Sequence, residues 1–117
     1  MTGKIIYHMC MECEWLDFKH RGFYEGSSQD KKDGFIHFST ADQIVESARK
    51  HRGGQDNLVL LSVNSNDVQS ILKWEKVYGG RVFPHVYGTL LLKNVFQSDI
   101  LRLNSNGKHI FPDQFSN

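Results

Sequence analysis

Three short stretches each carry one imidazole among apolar and aromatic neighbours: KIIYHM (4–9) with His8, GFIHFST (34–40) with His37, and VFPHVYG (82–88) with His85. Histidine titrates near neutrality. Three imidazoles converging on one cleft could move protons, contact a ribose hydroxyl or phosphate, or, when neutral, hold a metal that activates water. All three stretches read as strands, and side chains alternate across a strand. The alternation places Phe35, His37 and Ser39 on one face, with Ile36 and Phe38 turned toward a core. It likewise groups Ile6, His8 and Cys10 in the first strand, and Phe83, His85 and Tyr87 in the last. Each strand thus offers an imidazole to one cleft. His20, His51 and His109 fall near helix ends or in the tail and read as structural.

Ser39 and Thr40 run straight into TADQIVESARKHRGG (40–54), the clearest helix in the chain. Thr40 and Gln43 have capping-box spacing, Ile44, Val45 and Ala48 form an apolar stripe, and two glycines end the pattern. Free N–H groups at a helix start suit an anion such as phosphate, so His37 is expected to point into a polar cleft floored by that terminus. A direct Ser39–His37 dyad is ruled out by spacing, because i, i+2 strand neighbours stand ~7 Å apart and a nucleophile–base pair needs ~3 Å. CMEC (10–13) has redox-motif spacing without the βαβ setting, and offers too few ligands for zinc. Cys10 and Cys13 are therefore expected to be reduced thiols in packing roles.

The elements that must position these groups read as follows. CEWLDFKHRG (13–22) suits a short helix, with Trp15 and Phe18 on one face and Gly22 as its stop. FYEGSSQDKKD (23–33) has no periodicity and reads as a surface loop or lid. NLVLLSVN (57–64) is nearly continuous in apolar residues, the mark of a central strand buried on both faces. SNDVQSI (65–71) begins like a capped helical turn, and LKWEKV (72–77) and FQSDILRLN (96–104) read as strands. Gly79-Gly80 makes a tight turn, and Pro84 is expected at an edge or bulge because it cannot donate to a ladder. Strands outnumber helices without regular alternation, which predicts an α+β domain over residues 1–103 and a tail over 104–117, partly packed or frayed.

Composition narrows the function classes. With 117 residues, 39% hydrophobic and 23% charged, the chain can build one core and is too short for two domains. Its net charge of +1, with basic residues scattered among acids, gives no electrostatic reason to bind nucleic acid. No apolar run approaches the ~20 residues of a membrane span, and MTGKIIYH lacks a signal-peptide core; a cytoplasmic protein is expected.

The segments IYH (6–8), WLDF (15–18), DGFIHFST (33–40), LVLLSV (58–63), LKWE (72–75) and FPHVYG (83–88) together resemble the bacterial family called domain of unknown function 952. The resemblance covers nearly the whole chain to about residue 103, and DGFIHFST with FPHVYG is the specific combination. It implies an ADP-ribosyltransferase-like fold: two small, curved, mostly antiparallel sheets and two or three short helices around a cleft that holds NAD in active relatives. By position it implies His8 as the first site element, a contact for a ribose hydroxyl or phosphate. His37, with Ser39 and Thr40 close by, is the second, and His85 with Tyr87 the third, His85 being the general acid or base. Arg81 is the nearest phosphate-seeking side chain. FPHVYG departs from the common pattern in offering no carboxylate where a catalytic glutamate stands. The expected ligand is NAD, ADP-ribose or a related phosphorylated nucleotide, bound by a glycosyl- or phosphate-transfer enzyme. The alternatives are a three-histidine metal site and a non-catalytic ligand-binding module.

Overall fold

The apolar run at 58–64 organises the molecule. In the computed structural model, which describes residues 3–77 and 79–115, it forms strand β4 (Leu58–Asn64), with every residue but Asn64 buried. Its alternation feeds two cores. Val59, Leu61 and Val63 join Ile6, Phe18, Ile36 and Phe38 in one cluster. Leu58 and Leu60 join Tyr7, Ile44 and Leu101 in the other. β4 lies between β1 (Ile5–Met11) and β8 (Val95–Leu101) in an antiparallel sheet. Helix α1 (Glu12–Arg21) supplies Phe18 to the first core, and α3 (Ala41–Arg52) supplies Ile44 to the second.

A second antiparallel sheet has the order β3 (Ile36–His37), β6 (Val82–Val86), β5 (Leu72–Lys76). A third pairs β2 (Phe23–Tyr24) with β7 (Leu90–Leu91). The architecture is α+β as expected, with three antiparallel sheets where two were expected. The two larger sheets touch where Tyr7 and Ser39 exchange backbone hydrogen bonds, both 2.8 Å.

Three local expectations are corrected. Residues 23–33 are no open loop: they hold β2 and a helix, α2 (Ser28–Asp33), capped by Ser27 and stopped by Gly34 at φ 88°, a conformation that suits glycine. Pro84 lies in the middle strand of its sheet, not at an edge. This is tolerated because β3 ends at His37: the Pro84 carbonyl still accepts from the Phe38 N–H at 3.1 Å, and only the reciprocal donor is missing. Val45 is exposed, so the stripe of α3 is Ile44 and Ala48. The Gly79-Gly80 turn does close the β5–β6 hairpin, with both glycines at positive φ. In the tail, Phe111 and Phe115 pack on the second core, Phe115 meeting Tyr7 edge-on at 4.9 Å.

Cys10 is fully buried as expected, whereas Cys13 is exposed on α1. Burial pushes the Cys10 thiol up to about 12. A thiol reagent is therefore expected to modify Cys13 in the native protein and Cys10 only on denaturation. Mass spectrometry of the labelled peptides checks this, and native labelling of Cys10 would show that its site opens. No helix among the described residues is long and apolar enough to cross a membrane.

Candidate functional site

Strand register brings two of the three histidines together. In the β3–β6 pairing Ile36 faces Val86 and His37 faces His85, so the two imidazoles project from the same face with ring centroids 5.8 Å apart. Phe35 stacks on His85 at 4.0 Å and stands 4.5 Å from the His37 ring, so one aromatic surface spans both.

Each imidazole is backed by a carboxylate that the motifs did not indicate. His37 Nδ1 donates to Asp30 Oδ1 at 2.5 Å, and its backbone N–H reaches the same oxygen at 3.2 Å. Asp30 Oδ2 accepts from the Ser27 N–H at 2.8 Å, the reciprocal half of the α2 capping box. Burial pushes the Asp30 carboxyl up; the His37 bond, the His8 ring and the backbone donors outweigh it and hold it at about 2. Asp33 Oδ2 lies 3.1 Å from His37 Nε2. On the other strand, His85 Nδ1 donates to Glu75 Oε1 at 2.8 Å, and the Tyr87 hydroxyl donates to that same oxygen at 2.7 Å. The Tyr87 and His85 bonds lower the Glu75 carboxyl from its ordinary range. Glu75 faces Phe83 across the hairpin, so it stands diagonal to His85 on the shared face. His85 Nδ1 is given to Glu75, and no described residue bonds its Nε2; the His85 side chain is 7% exposed and that of His37 43%.

His8 is different. The face it shares with Ile6 and Cys10 is core, and only 3% of the residue is exposed. A carbonyl only accepts, so Nδ1 donates to His37 O at 2.6 Å and Nε2 takes the Tyr24 hydroxyl at 2.8 Å. Desolvation pushes its pKa below 6.5 although Asp30 stands 3.7 Å away. No ring nitrogen is left for a ribose, a phosphate or a metal. The expected contact role is thus corrected: His8 ties β1 to β3 and to β2 beneath the site.

A cleft of about 1060 Å³ opens beside this cluster, with His8, His37 and His85 together in its walls as expected, along with Ser39, Ser47 and Arg52. Ser39 shares a hydroxyl hydrogen bond with Ser47 at 3.1 Å. Thr40 lies outside the cleft walls; its hydroxyl donates to Asp42 and its N–H to Gln43 Oε1 at 3.0 Å. The Thr40 hydroxyl and N–H are thus taken within α3, whose first turn also carries an acid, so Thr40 does not supply the expected anion contact. Arg81 is exposed in the hairpin turn, its guanidinium 5.6 Å from the ring of Phe83, a residue of the cleft wall. Two further cations stand at the site: Arg52, half-buried in the cleft wall, and Lys73, which faces His85 across β5–β6 and lies 4.6 Å from the Tyr87 ring. Among the described residues, no group of three or more His, Cys, Asp and Glu side chains is arranged to hold a metal ion.

A family model described as "Protein of unknown function (DUF952)" matches residues 9–98. The chain belongs to that family. Both carboxylate–imidazole pairs of this DUF952 chain lie inside the matched span, and His8 stands one residue before it. The crystal structure of protein CC0527 from Caulobacter crescentus is 39% identical and superposes with a TM-score of 0.91, over 97% of this chain and 100% of that one. The solution NMR structure of CC0527 gives 42% identity and a TM-score of 0.81, over 89% of this chain and 90% of that one. Comparison with curated proteins gives no match.

Proposed function

We propose that this DUF952 protein binds a phosphorylated nucleotide, such as NAD or ADP-ribose, in the histidine-lined cleft and performs glycosyl or phosphate transfer on it. The observation that carries the reading is the His37–His85 pair, 5.8 Å apart and each backed by its own carboxylate. On His85 a carboxylate on Nδ1 fixes the tautomer, orients the ring and leaves Nε2 for proton transfer. His85, with Nε2 open, is the proton acceptor; His37, held between Asp30 and Asp33, is the donor and positions the ribose. Glu75 supplies a carboxylate diagonal to His85, in place of the glutamate missing from FPHVYG. Bound NAD would supply the scissile bond between ribose and nicotinamide. Phe35 and Tyr87 offer the flat surfaces a base or nicotinamide stacks on, and Arg52 and Lys73 the charge its phosphates need. An ADP-ribosyltransferase-like fold is part of the same proposal, supported by small antiparallel sheets meeting beside a cleft.

Thermal melts and calorimetric titrations with NAD, ADP-ribose, ADP and AMP test this. A ligand at a hundred times its Kd stabilises the native state by about 2.7 kcal/mol, a readily measured rise in melting temperature. His85→Ala is expected to weaken binding roughly tenfold or more, the loss of a hydrogen bond to a charged group. If none of the four nucleotides raises the melting temperature, the proposal fails.

A further inference from the structure

On the side of β1 away from β4, Tyr7 exchanges backbone hydrogen bonds with Ser39, and past that bridge β1 and β3 make no further backbone pairing among the described residues. Main-chain groups of an antiparallel strand alternate sides. Met9, two residues past Tyr7 and in unbroken register, therefore also turns its N–H and carbonyl away from β4, toward the cleft it lines. The carbonyl accepts from Arg52 Nη2 at 3.2 Å, whereas the N–H has no acceptor among the described residues. Arg52 is itself a cation without a counter-ion. Arg21 and Arg49 pair with carboxylates on their own helices. Half-buried Arg52 pairs with none among the described residues, and only two of its five N–H groups are used, on Met9 O and on Gln55 Oε1 at 3.1 Å. The carboxylates in the same cleft are engaged elsewhere, Asp30 and Asp33 on His37, and Glu14 on the Met11 N–H at 2.7 Å. The helix dipole favours any cation in the last turn of α3, exposed Lys50 included, and does not require a guanidinium tied across to β1.

We propose that Arg52, the Met9 N–H and the hydroxyls of Ser39 and Ser47 form a seat for one phosphate group. Ser39, 6% exposed, and Ser47 share a hydrogen bond that uses one of their two hydroxyl protons, which leaves the other to donate into the cleft both residues line. Two independent spacings give the distance from this pair to Arg52. Ser39 is bridged to Tyr7 and Arg52 is bonded to Met9, two residues further along β1, which is ~7 Å on a strand. Ser47 and Arg52 are five residues apart on α3, which is ~7.5 Å along a helix axis. Donors at that separation suit a tetrahedral oxyanion, which accepts bonds of ~2.8 Å from opposite sides at once. A planar carboxylate directs its two oxygens one way, whereas the donors here come from β1, from α3 and from the segment that joins β3 to α3. The inference rests on the nucleotide reading for what carries the phosphate, and it assigns that phosphate to Arg52 and not to Lys73.

Inorganic phosphate is the probe, titrated calorimetrically into the full chain at fixed ionic strength. Saturable binding is expected in the wild type. Arg52→Gln should weaken it about tenfold or more, and Arg52→Lys, which keeps the charge and loses the fork, should recover only part of that loss. Ser47→Ala should weaken it about threefold to tenfold. It gives up a single hydroxyl bond and gains helix propensity, so it carries the test if loss of the Met9 contact unfolds Arg52→Gln. AMP should bind more tightly than adenosine, by a margin that shrinks in Arg52→Gln and in Ser47→Ala. Phosphate binding that shows these losses, in a chain that binds no nucleotide, keeps the seat and ends the nucleotide reading. A wild type that binds no phosphate overturns the seat. So does phosphate binding that is indifferent to Arg52→Gln and Ser47→Ala, or that is lost in Lys73→Gln instead; nucleotide binding that persists in those cases leaves the nucleotide reading standing without it.

Discussion

Asp30→Ala is expected to destabilise the protein by about 3–5 kcal/mol, the range for breaking a buried ion pair from one side. The carboxylate is 3% exposed, accepts from the Ser27 N–H and from both the backbone and the ring of His37, and stands 3.7 Å from His8. Its loss leaves those donors facing an empty space and frees both the start of α2 and the ring of His37. The pH dependence is specific. A carboxyl held at about 2 in the folded chain and at 3.8 in the unfolded one contributes about 2 kcal/mol above pH 4, and loses it as pH falls from 4 through 2. His8 adds an earlier window. Burial lowers its pKa, so the unfolded ring takes up a proton below 6.5 that the folded ring refuses, and stability declines as pH falls below that value. Denaturant melts at pH 8, 5 and 3 are expected to show both losses in the wild type. In Asp30→Ala the loss below pH 4 should shrink by about 2 kcal/mol, leaving what the other lowered carboxyls such as Glu75 contribute, and the loss below 6.5 should remain. A variant that keeps the lower loss in full would assign it to other carboxyls.

That Asp30 went unread has a physical reason. A helix is legible from sequence when its buried stripe repeats, as Ile44 and Ala48 do in α3, where Thr40 and Gln43 also mark the start. α2 is six residues long and buries only Asp30, so it has no apolar stripe; the one local signal was the spacing of Ser27 and Asp30, a capping box hidden in a polar run. Alternation served better. It correctly turned Ile36 and Phe38 inward, read β4 as buried on both sides, and put His37 on the same side as Phe35. It failed for His8 because period two says which residues share a face and not what covers it. Tyr24 covers His8, and it came from the stretch taken for a lid. Glu75 was invisible for a similar reason. Its meeting with His85 depends on hairpin register, which pairs Glu75 with Phe83 across a turn whose length fixes the offset. The imidazoles were therefore readable one by one, while the carboxylates that orient them belong to tertiary structure.

Phe38→Ala is expected to remove about 3–5 kcal/mol, and its neighbour His37→Ala only about 1.5–3 kcal/mol. Phe38 is 2% exposed in the first core, its ring 5.4 Å from that of His8, and truncation leaves a cavity between fixed strands. Ile36, 1% exposed in the same cluster, should follow it with about 2–5 kcal/mol for Ile36→Ala. The His37 ring is 43% exposed, so its removal opens the cleft and leaves no sealed void. What the chain loses there is the charged hydrogen bond to Asp30 and the more exposed contact with Asp33. The backbone N–H that also reaches Asp30, and the carbonyl that accepts from His8, belong to residue 37 whatever its side chain. Function should rank the same variants in the opposite order. His37→Ala removes the proposed proton donor and, on that proposal, is expected to abolish the nucleotide-induced rise in melting temperature. Phe38→Ala, where enough protein stays folded, should retain that rise, because Phe38 is 2% exposed in the first core and its loss removes neither imidazole. Melts of each variant with and without nucleotide decide the matter. If His37→Ala falls as far as Phe38→Ala and still shifts with ligand, the imidazole on β3 is a structural strut and the proton-transfer pair is lost with it.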